Sequence, residues 1–283
     1  MDNIWGQVKQ AAASGVLMSG YSFARNFWYV GENAPRMAKR ADTISAMLAL
    51  MSPGDVGVIG PQRHAEGNLI IPATLSDITL IGAGGRGACF IEPSAAGDEG
   101  LQVLADDVTL INVGVAGGSS SSYALNISAC ARFRAYECKF EGPTGTCVLL
   151  SGSATDQAAD VLFSDCEFAW CGSAILLDDS GYGYPTSIRI RNSWFHNYTA
   201  VGVGLAAGGG TANLEIRDCV FDNLEDGTAP TDYIKVDRSG DTGVVSGCRF
   251  ATATNATGVL TIAAGIMWMA NATEAGWSTA RPA

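Results

Sequence analysis

The sequence predicts an all-β fold, a single-stranded parallel β-helix of about eight coils of roughly 27 residues, on three observations. The first is a recurring unit: a short strand, a polar residue, a small apolar residue, a spacer and an aromatic. Its copies read FRAYECKF (Phe133 to Phe140), VLFSDCEF (Val161 to Phe168), IRIRNSWF (Ile188 to Phe195) and LEIRDCVF (Leu214 to Phe221), then the shorter VVSGCRF (Val244 to Phe250). Weaker copies start at Ile78 (ITLIGAG) and Val108 (VTLINVGV). The second is the spacing. Cys138, Cys166, Ser193, Cys219 and Cys248 fall 28, 27, 26 and 29 residues apart, Val113 stands 25 before Cys138, and Ala83 stands 30 before Val113. The third is a second apolar run in each unit, at Leu101–Ala105, Tyr123–Ile127, Cys147–Leu150, Ala174–Leu177, Ala200–Leu205, Tyr233–Val236 and Gly258–Ala264, separated from the first by turn residues. Leucine-rich repeats lack support because LxxLxLxxN is missing, and propeller blades need about 40 residues. In a β-helix each unit is one coil, paired with its neighbours about 4.8 Å above and below, and loops absorb the variation in period.

In chain order, residues 1–26 carry no repeat and are expected to form an ordered arm. It either docks on a partner through Ile4, Trp5, Val16, Leu17, Tyr21 and Phe23 or folds back on its own solenoid. Residues 27–55 are read as a strand plus a capping helix. Asn26 to Gly31 is the strand; Ile44, Met47, Leu48 and Met51 give helical spacing, Asp42 or Thr43 the N-cap, and Pro53-Gly54 the stop. That helix covers the open end of the hydrophobic stack, which otherwise presents an unpaired edge. Residues 56–264 are the β-helix, opened by Val56 to Ile59 with Asn68 to Pro72 as its second strand. Residues 265–283 are read as a C-terminal plug or tail in which Met267, Trp268 and Trp277 close the core or dock on a partner.

Composition narrows the function. Lys and Arg number 17 against 28 Asp and Glu, a net charge of −11, which argues against binding nucleic acid by phosphate neutralisation. The 35 glycines mark corners. Of eight cysteines, Cys138, Cys166, Cys219 and Cys248 share one repeat position with Ser193, Ala83 and Val113, so they read as small buried residues in a vertical file rather than as a disulfide framework. No CxxC or His spacing suggests zinc, no apolar run reaches membrane-spanning length, and residues 1–20 make a poor signal peptide. Folding in a reducing cytoplasm is the expectation, with no cofactor and no metal.

The segment TIxAxLxxxxPGDVxxIxP (Thr43 to Pro61), followed by EGNLIIP (Glu66 to Pro72) and ITLIGAGG (Ile78 to Gly85), resembles the start of the pectin-lyase-like right-handed parallel β-helix superfamily. More narrowly it is similar to β-helix structural proteins of tailed-bacteriophage virions, in which a WYV-G strand (here Trp28 to Gly31) precedes the capping helix and first rung. The resemblance implies a right-handed solenoid and a virion location. By that analogy the chain is a non-enzymatic capsid decoration protein or short fibre or spike component, a homotrimer that contacts virion proteins and sister subunits; the alternatives are a tailspike-type polysaccharide depolymerase or a non-catalytic adhesin, either of which contacts host surface glycan.

Three constellations need weighing. Gly82 to Gly87 matches GxGxxG, but a strand-like ACFIEP follows where nucleotide binding needs a helix, so a glycine corner is expected. Glu137, Asp165 and Asp218 precede the file position and are expected to point outward on one face. They are the acids that a tailspike-type glycoside hydrolase would use, or else they satisfy turn backbone and face water. Asp178, Asp179 and Asp237 form a weaker set. Phe140, Phe168, Phe195, Phe221 and Phe250 share inward parity and are expected to stack in the core. Trp170, Tyr182, Tyr184, Trp194 and Tyr198 remain for the surface, with His196 solvated at a coil corner.

Overall fold

In the computed structural model the described residues are 26–31, 38–121, 123–142, 144–152, 157–178, 184–206, 210–222, 230–251, 259–269, 271–273 and 276–278. The chain winds upward over three faces as a right-handed β-solenoid of about 8 turns. The first face stacks Val56–Ile59, Thr79–Gly82, Thr109–Ile111, Arg134–Tyr136, Ala159–Ser164, Thr186–Arg191, Leu214–Arg217 and Gly243–Ser246 in parallel. The second face starts at Arg63–Ala65 and runs through Phe90–Glu92, Gly114–Ala116 and Lys139–Glu141 to Val220–Asp222 and Arg249–Ala251. The third starts at Leu69–Ile71 and ends at Val259–Ile262. In coils five and six, single long strands, Glu167–Leu177 and Trp194–Leu205, turn the corner between the second and third faces without a break.

The recurring unit explains itself at the corner between the first and second faces. Asn112, Glu137, Asp165, Asn192, Asp218 and Gly247 all have φ between 49° and 67°. Each donates its backbone N–H to the next coil, Glu137 to Ser164 O at 3.0 Å and Asp165 to Arg191 O at 3.0 Å. A left-handed residue turns the chain in one step, and Asn, Asp and Gly tolerate that conformation best. The residue that follows points inward, where only a small group fits. Cys138, Cys166, Ser193, Cys219 and Cys248 are all buried there, and all eight cysteines are free, as expected of a file of thiols.

One spacer later the phenyl file begins. Ring centroids lie 5.4 Å apart from Phe140 to Phe168, 4.7 Å to Phe195, 4.5 Å to Phe221 and 5.0 Å to Phe250, all stacked. Each buried ring contributes on the order of 2–3 kcal/mol by burial and about 1 kcal/mol more by stacking. The Gly82 to Gly87 segment is a glycine corner: Gly84 and Gly87 have φ of 103° and 78°, and the strand Phe90–Glu92 follows.

At the lower end α1 (Ile44–Leu50) is N-capped by Thr43, whose Oγ1 accepts from Ala46 N at 3.0 Å. Its buried residues are Ile44, Met47 and Leu48, and Met47 reaches over Gly57, where a Cβ would stand 2.8 Å from the Met47 methyl. The Glu66 carboxylate accepts from the Ile44 and Ser45 N–H groups at 2.8 and 2.9 Å, satisfying two donors of the first turn. Phe27–Val30 adds a rung below Val56–Ile59, and Lys39–Ala41 one more.

The upper end differs from the expected boundary at residue 264. Ile266–Met269 continues the first face as a further parallel rung, and Asn271–Thr273 continues the second. The alternation of Ile266, Met267, Trp268 and Met269 is that of a strand, with Ile266 and Trp268 inward and Met267 and Met269 60% and 46% exposed. Trp268 stacks on Phe250 at 5.5 Å and prolongs the aromatic file. Trp277 belongs to Gly276–Ser278, which pairs antiparallel with Asn271–Thr273. Ile4, Trp5, Val16, Leu17, Tyr21 and Phe23 lie outside the described residues, as do Asp179 and Tyr182.

Candidate functional site

The outward side chains of the second face flank the phenyl file. In coils four to six they are Lys139 and Glu141 around Phe140, Glu167 before Phe168, and Trp194 and His196 around Phe195. Register puts Lys139, Glu167 and Trp194 in one column, one coil apart, and Glu141, Ala169 and His196 in the next. Glu167 Oε1 lies 3.0 Å from Lys139 Nζ and 3.1 Å from His196 Nε2, while Lys139 also meets Glu141 at 2.8 Å. The Trp194 ring stacks on His196 at 3.9 Å. Only 13% of the Glu167 side chain and 6% of the His196 side chain reach solvent.

Electrostatics follow from that geometry. The hydrogen bond from His196, with Lys139 beside it, holds the Glu167 carboxyl at about 2 against the upward push of burial. Burial pulls Lys139 down, but its bonds to Glu141 and Glu167 outweigh it, so the ammonium is held above its ordinary value. Glu167 therefore stays ionised across the physiological range and fixes the orientation of His196. Among the described residues no group of three or more His, Cys, Asp and Glu side chains is placed to hold a metal ion.

His196 was expected to be solvated at a corner. Instead it lies inside a strand, buried beneath Trp194, because its column is the outward one beside Phe195. Tyr198, expected at the surface, is buried; Trp170, Tyr184 and Trp194 are exposed as expected. The Lys139–Glu167–His196 chain is absent from the sequence-based candidates, yet its signal is the pair of letters flanking each phenylalanine (KFE, EFA, WFH).

Glu137, Asp165 and Asp218 occupy the left-handed corner rather than a strand face, in one vertical file with Asp165 one coil above Glu137 and Asp218 two coils above Asp165. Asp165 Oδ2 accepts from Ser164 Oγ at 2.6 Å, and Arg86, from the glycine corner of coil two, reaches Asp165 O at 2.6 Å. Asp178 and Asp237 each follow the last residue of a third-face strand.

A second charged surface lies on the outer side of the first face. Arg134 and Arg189 both pair with Asp160, the former at 2.6 Å, while Arg191 and Arg217 share Glu215 Oε1 at 2.7 and 3.0 Å. Arg132, paired with Asp106 and Asp107, adjoins them, so arginines and carboxylates interleave along this surface.

Comparison with known proteins agrees with this architecture. No curated protein sequence matches. Among solved structures, a pectin methylesterase from Aspergillus niger superposes with a TM-score of 0.61 at 16% identity, covering 94% of this chain and 90% of that one. A pectate lyase from Bacillus sp. N165, solved with trigalacturonate, gives 0.55 at 12% identity, covering 89% and 83%. A surface adhesin of Streptococcus pneumoniae gives 0.51 at 11% identity, covering 81% and 73%. At these identities the likeness is one of fold. The family profile described as the right handed beta helix region matches residues 73–272, and this chain belongs to that family.

Proposed function

We propose that the chain is a non-enzymatic structural protein of a tailed-bacteriophage virion, a capsid decoration protein or short fibre or spike component. Its β-helix serves as a rigid post. One observation carries the reading: the acidic residues nominated for hydrolysis are committed to the coil's own geometry. Glu137, Asp165 and Asp218 form the corner in left-handed conformation, and Glu167, outside that set, is paired with Lys139 and hydrogen-bonded to His196. A general acid needs a carboxyl whose pKa lies near the working pH, whereas Glu167 is held at about 2. The likeness of the capping segment, from Trp28 to Asp55, to virion β-helix proteins supports the location.

The first face, on which arginines and carboxylates interleave, supports docking of a flat side against virion surfaces or sister subunits through complementary charge, with a homotrimer as the expected assembly. A glycan-binding or depolymerising role is the competing reading, favoured by the exposed rings of Trp170 and Trp194. Antibody labelling of intact particles, paired with an assay for reducing sugar released from host surface glycan, separates them. Label on head or tail with no sugar release supports the structural role. Release that is abolished by Glu137→Gln or Asp165→Asn, in protein that stays folded, overturns it.

A further inference from the structure

The second face differs from the first in its charge. From the left-handed corner onward, its strands in coils four to seven (residues 137–141, 165–171, 192–198 and 218–222) carry Glu137, Glu141, Asp165, Glu167, Asp218 and Asp222 against Lys139. With His196 neutral that is −5 of the chain's −11. Among the neighbouring arginines, Arg191 and Arg217 pair with Glu215 on the first face. Arg86, at the Asp165 carbonyl, and Arg249, one coil above Val220, trim the excess and still leave it acidic. Two exposed indoles lie within this surface. Trp194, 37% exposed, stacks on His196 at 3.9 Å, so one face of its ring is covered and the other is left toward solvent. Glu167 holds His196 in turn, which makes the platform rigid. Trp170, 50% exposed, stands one coil lower at the next corner, where its counterpart in the coil above is Asn197, so the corner itself does not need an indole. Strand spacing puts the two tryptophans roughly 10 Å apart.

On the reading of the chain as a virion structural protein, we propose that this surface docks a basic segment of a neighbouring virion protein. An arginine guanidinium lies on the open face of Trp194, its charge set against Asp218 and Asp222, which flank Val220 in the coil directly above. A cation within about 6 Å of an indole centroid is drawn to the negative face of the ring, and carboxylates around the ring deepen the attraction. Arginine suits the site better than lysine. Its planar guanidinium stacks on the ring and still presents donors at its edge for carboxylates, whereas an ammonium is a hydrated point charge. The same charge selects against the other ligands that exposed indoles attract. A neutral sugar ring gains nothing from the carboxylates, and an acidic glycan is repelled by them.

Calorimetric titration of the full-length protein with a hexaarginine peptide, at about 0.1 M salt, tests this. Hexaarginine is expected to bind at least about threefold more tightly than hexalysine. Trp194→Ala should weaken binding about fivefold or more, and Trp170→Asn, which gives the corner the residue used one coil above, about twofold or more, each in protein with an unchanged unfolding midpoint. Asp218→Asn with Asp222→Asn should weaken it about fivefold, and the equal charge change Asp42→Asn with Glu92→Gln, at the lower end, less than about twofold. A chain that does not bind hexaarginine overturns the proposal. So does binding that neither tryptophan variant changes, or equal losses from the two pairs of charge variants, since only net charge is then being read. Displacement of the peptide by neutral dextran overturns it in favour of a sugar site. Self-association that Trp194→Ala abolishes overturns it in favour of a second copy. The titration uses isolated protein, so it and the labelling of particles fail separately.

Discussion

Two buried aspartates, one near each end of the solenoid, sit in the same turn and respond oppositely to burial. Asp55 closes Ser52-Pro53-Gly54-Asp55, and Asp241 closes Arg238-Ser239-Gly240-Asp241. In both, the glycine has positive φ, 90° and 102°, the Asp N–H returns to the first residue's carbonyl, and Oδ2 accepts that residue's N–H, at 3.0 and 2.9 Å. In both, Oδ1 accepts a backbone N–H from the neighbouring coil, Asn26 at 3.2 Å and Thr211 at 2.8 Å. Asp55 collects two donors more, Trp28 Nε1 at 2.9 Å and Asn26 Nδ2 at 3.2 Å.

The consequence is a change of sign. Burial pushes both carboxyls up. At Asp55 the N–H of Ser52, the Trp28 indole and the Asn26 groups outweigh it, and the carboxyl is held below its ordinary value. At Asp241 the Thr211 and Arg238 N–H groups, with the Arg238 charge, do not outweigh burial and the nearby Asp237, and the carboxyl is raised. Four donors overcome burial and two do not. The lower end is thus closed by an ionised hub joining the Phe27–Val30 rung to the first coil, while the upper end relies on Trp268 over Phe250 and on Asn271. The Asn271 amide accepts from Cys248 N at 2.9 Å and donates to Val245 O at 3.0 Å.

The largest test of this contrast is Asp55→Ala. It strands the Trp28 indole and three other donors, and is expected to cost about 3–4 kcal/mol in chemical denaturation, with Asp241→Ala costing about half as much. Equal losses would break the donor-count argument. Next comes Glu167, a half-buried carboxylate paired with the Lys139 ammonium and hydrogen-bonded to His196. Its folded pKa is depressed from 4.5 to about 2, so its contribution is full above pH 4.5 and drains away as pH falls toward 2. Stability measured across that window should lose about 2 kcal/mol that Glu167→Gln no longer shows.

Asp241→Asn should change stability by less than about 1 kcal/mol at pH 7, because the raised carboxyl gains nothing from ionising. In the unaltered protein this site contributes stability at acid pH that is lost as pH rises from the ordinary carboxylate value through the raised one, opposite to Asp55. The smallest effect is at the corner. Glu137→Asn replaces a side chain that disfavours positive φ and should stabilise by about 0.5–1 kcal/mol, read as a raised midpoint.

Much of the fold was legible in the residues. The period, the small inward file, the phenylalanines and the helix from Ile44 are local or periodic signals, and stacking identical units converts a one-dimensional period into a vertical column. The corner acids were legible as a file but not as left-handed residues, since Asn, Asp and Glu before a small residue suit an outward strand position equally well. The ladder past residue 264 was hidden because Ile266–Met269 lacks the corner and phenylalanine that mark other coils.

Sequence by itself determined which residues recur and therefore which share a column, because backbone pairing repeats the register of one coil in the next. Tertiary structure decided what each column's members do. Whether Glu167 stays charged, whether His196 is covered, and whether Asp55 and Asp241 titrate alike depend on how many donors converge on one oxygen pair. The donors that make the difference, Trp28 and Asn26 at Asp55 and His196 at Glu167, come from coils 27 to 29 residues away, at distances that composition and spacing do not encode.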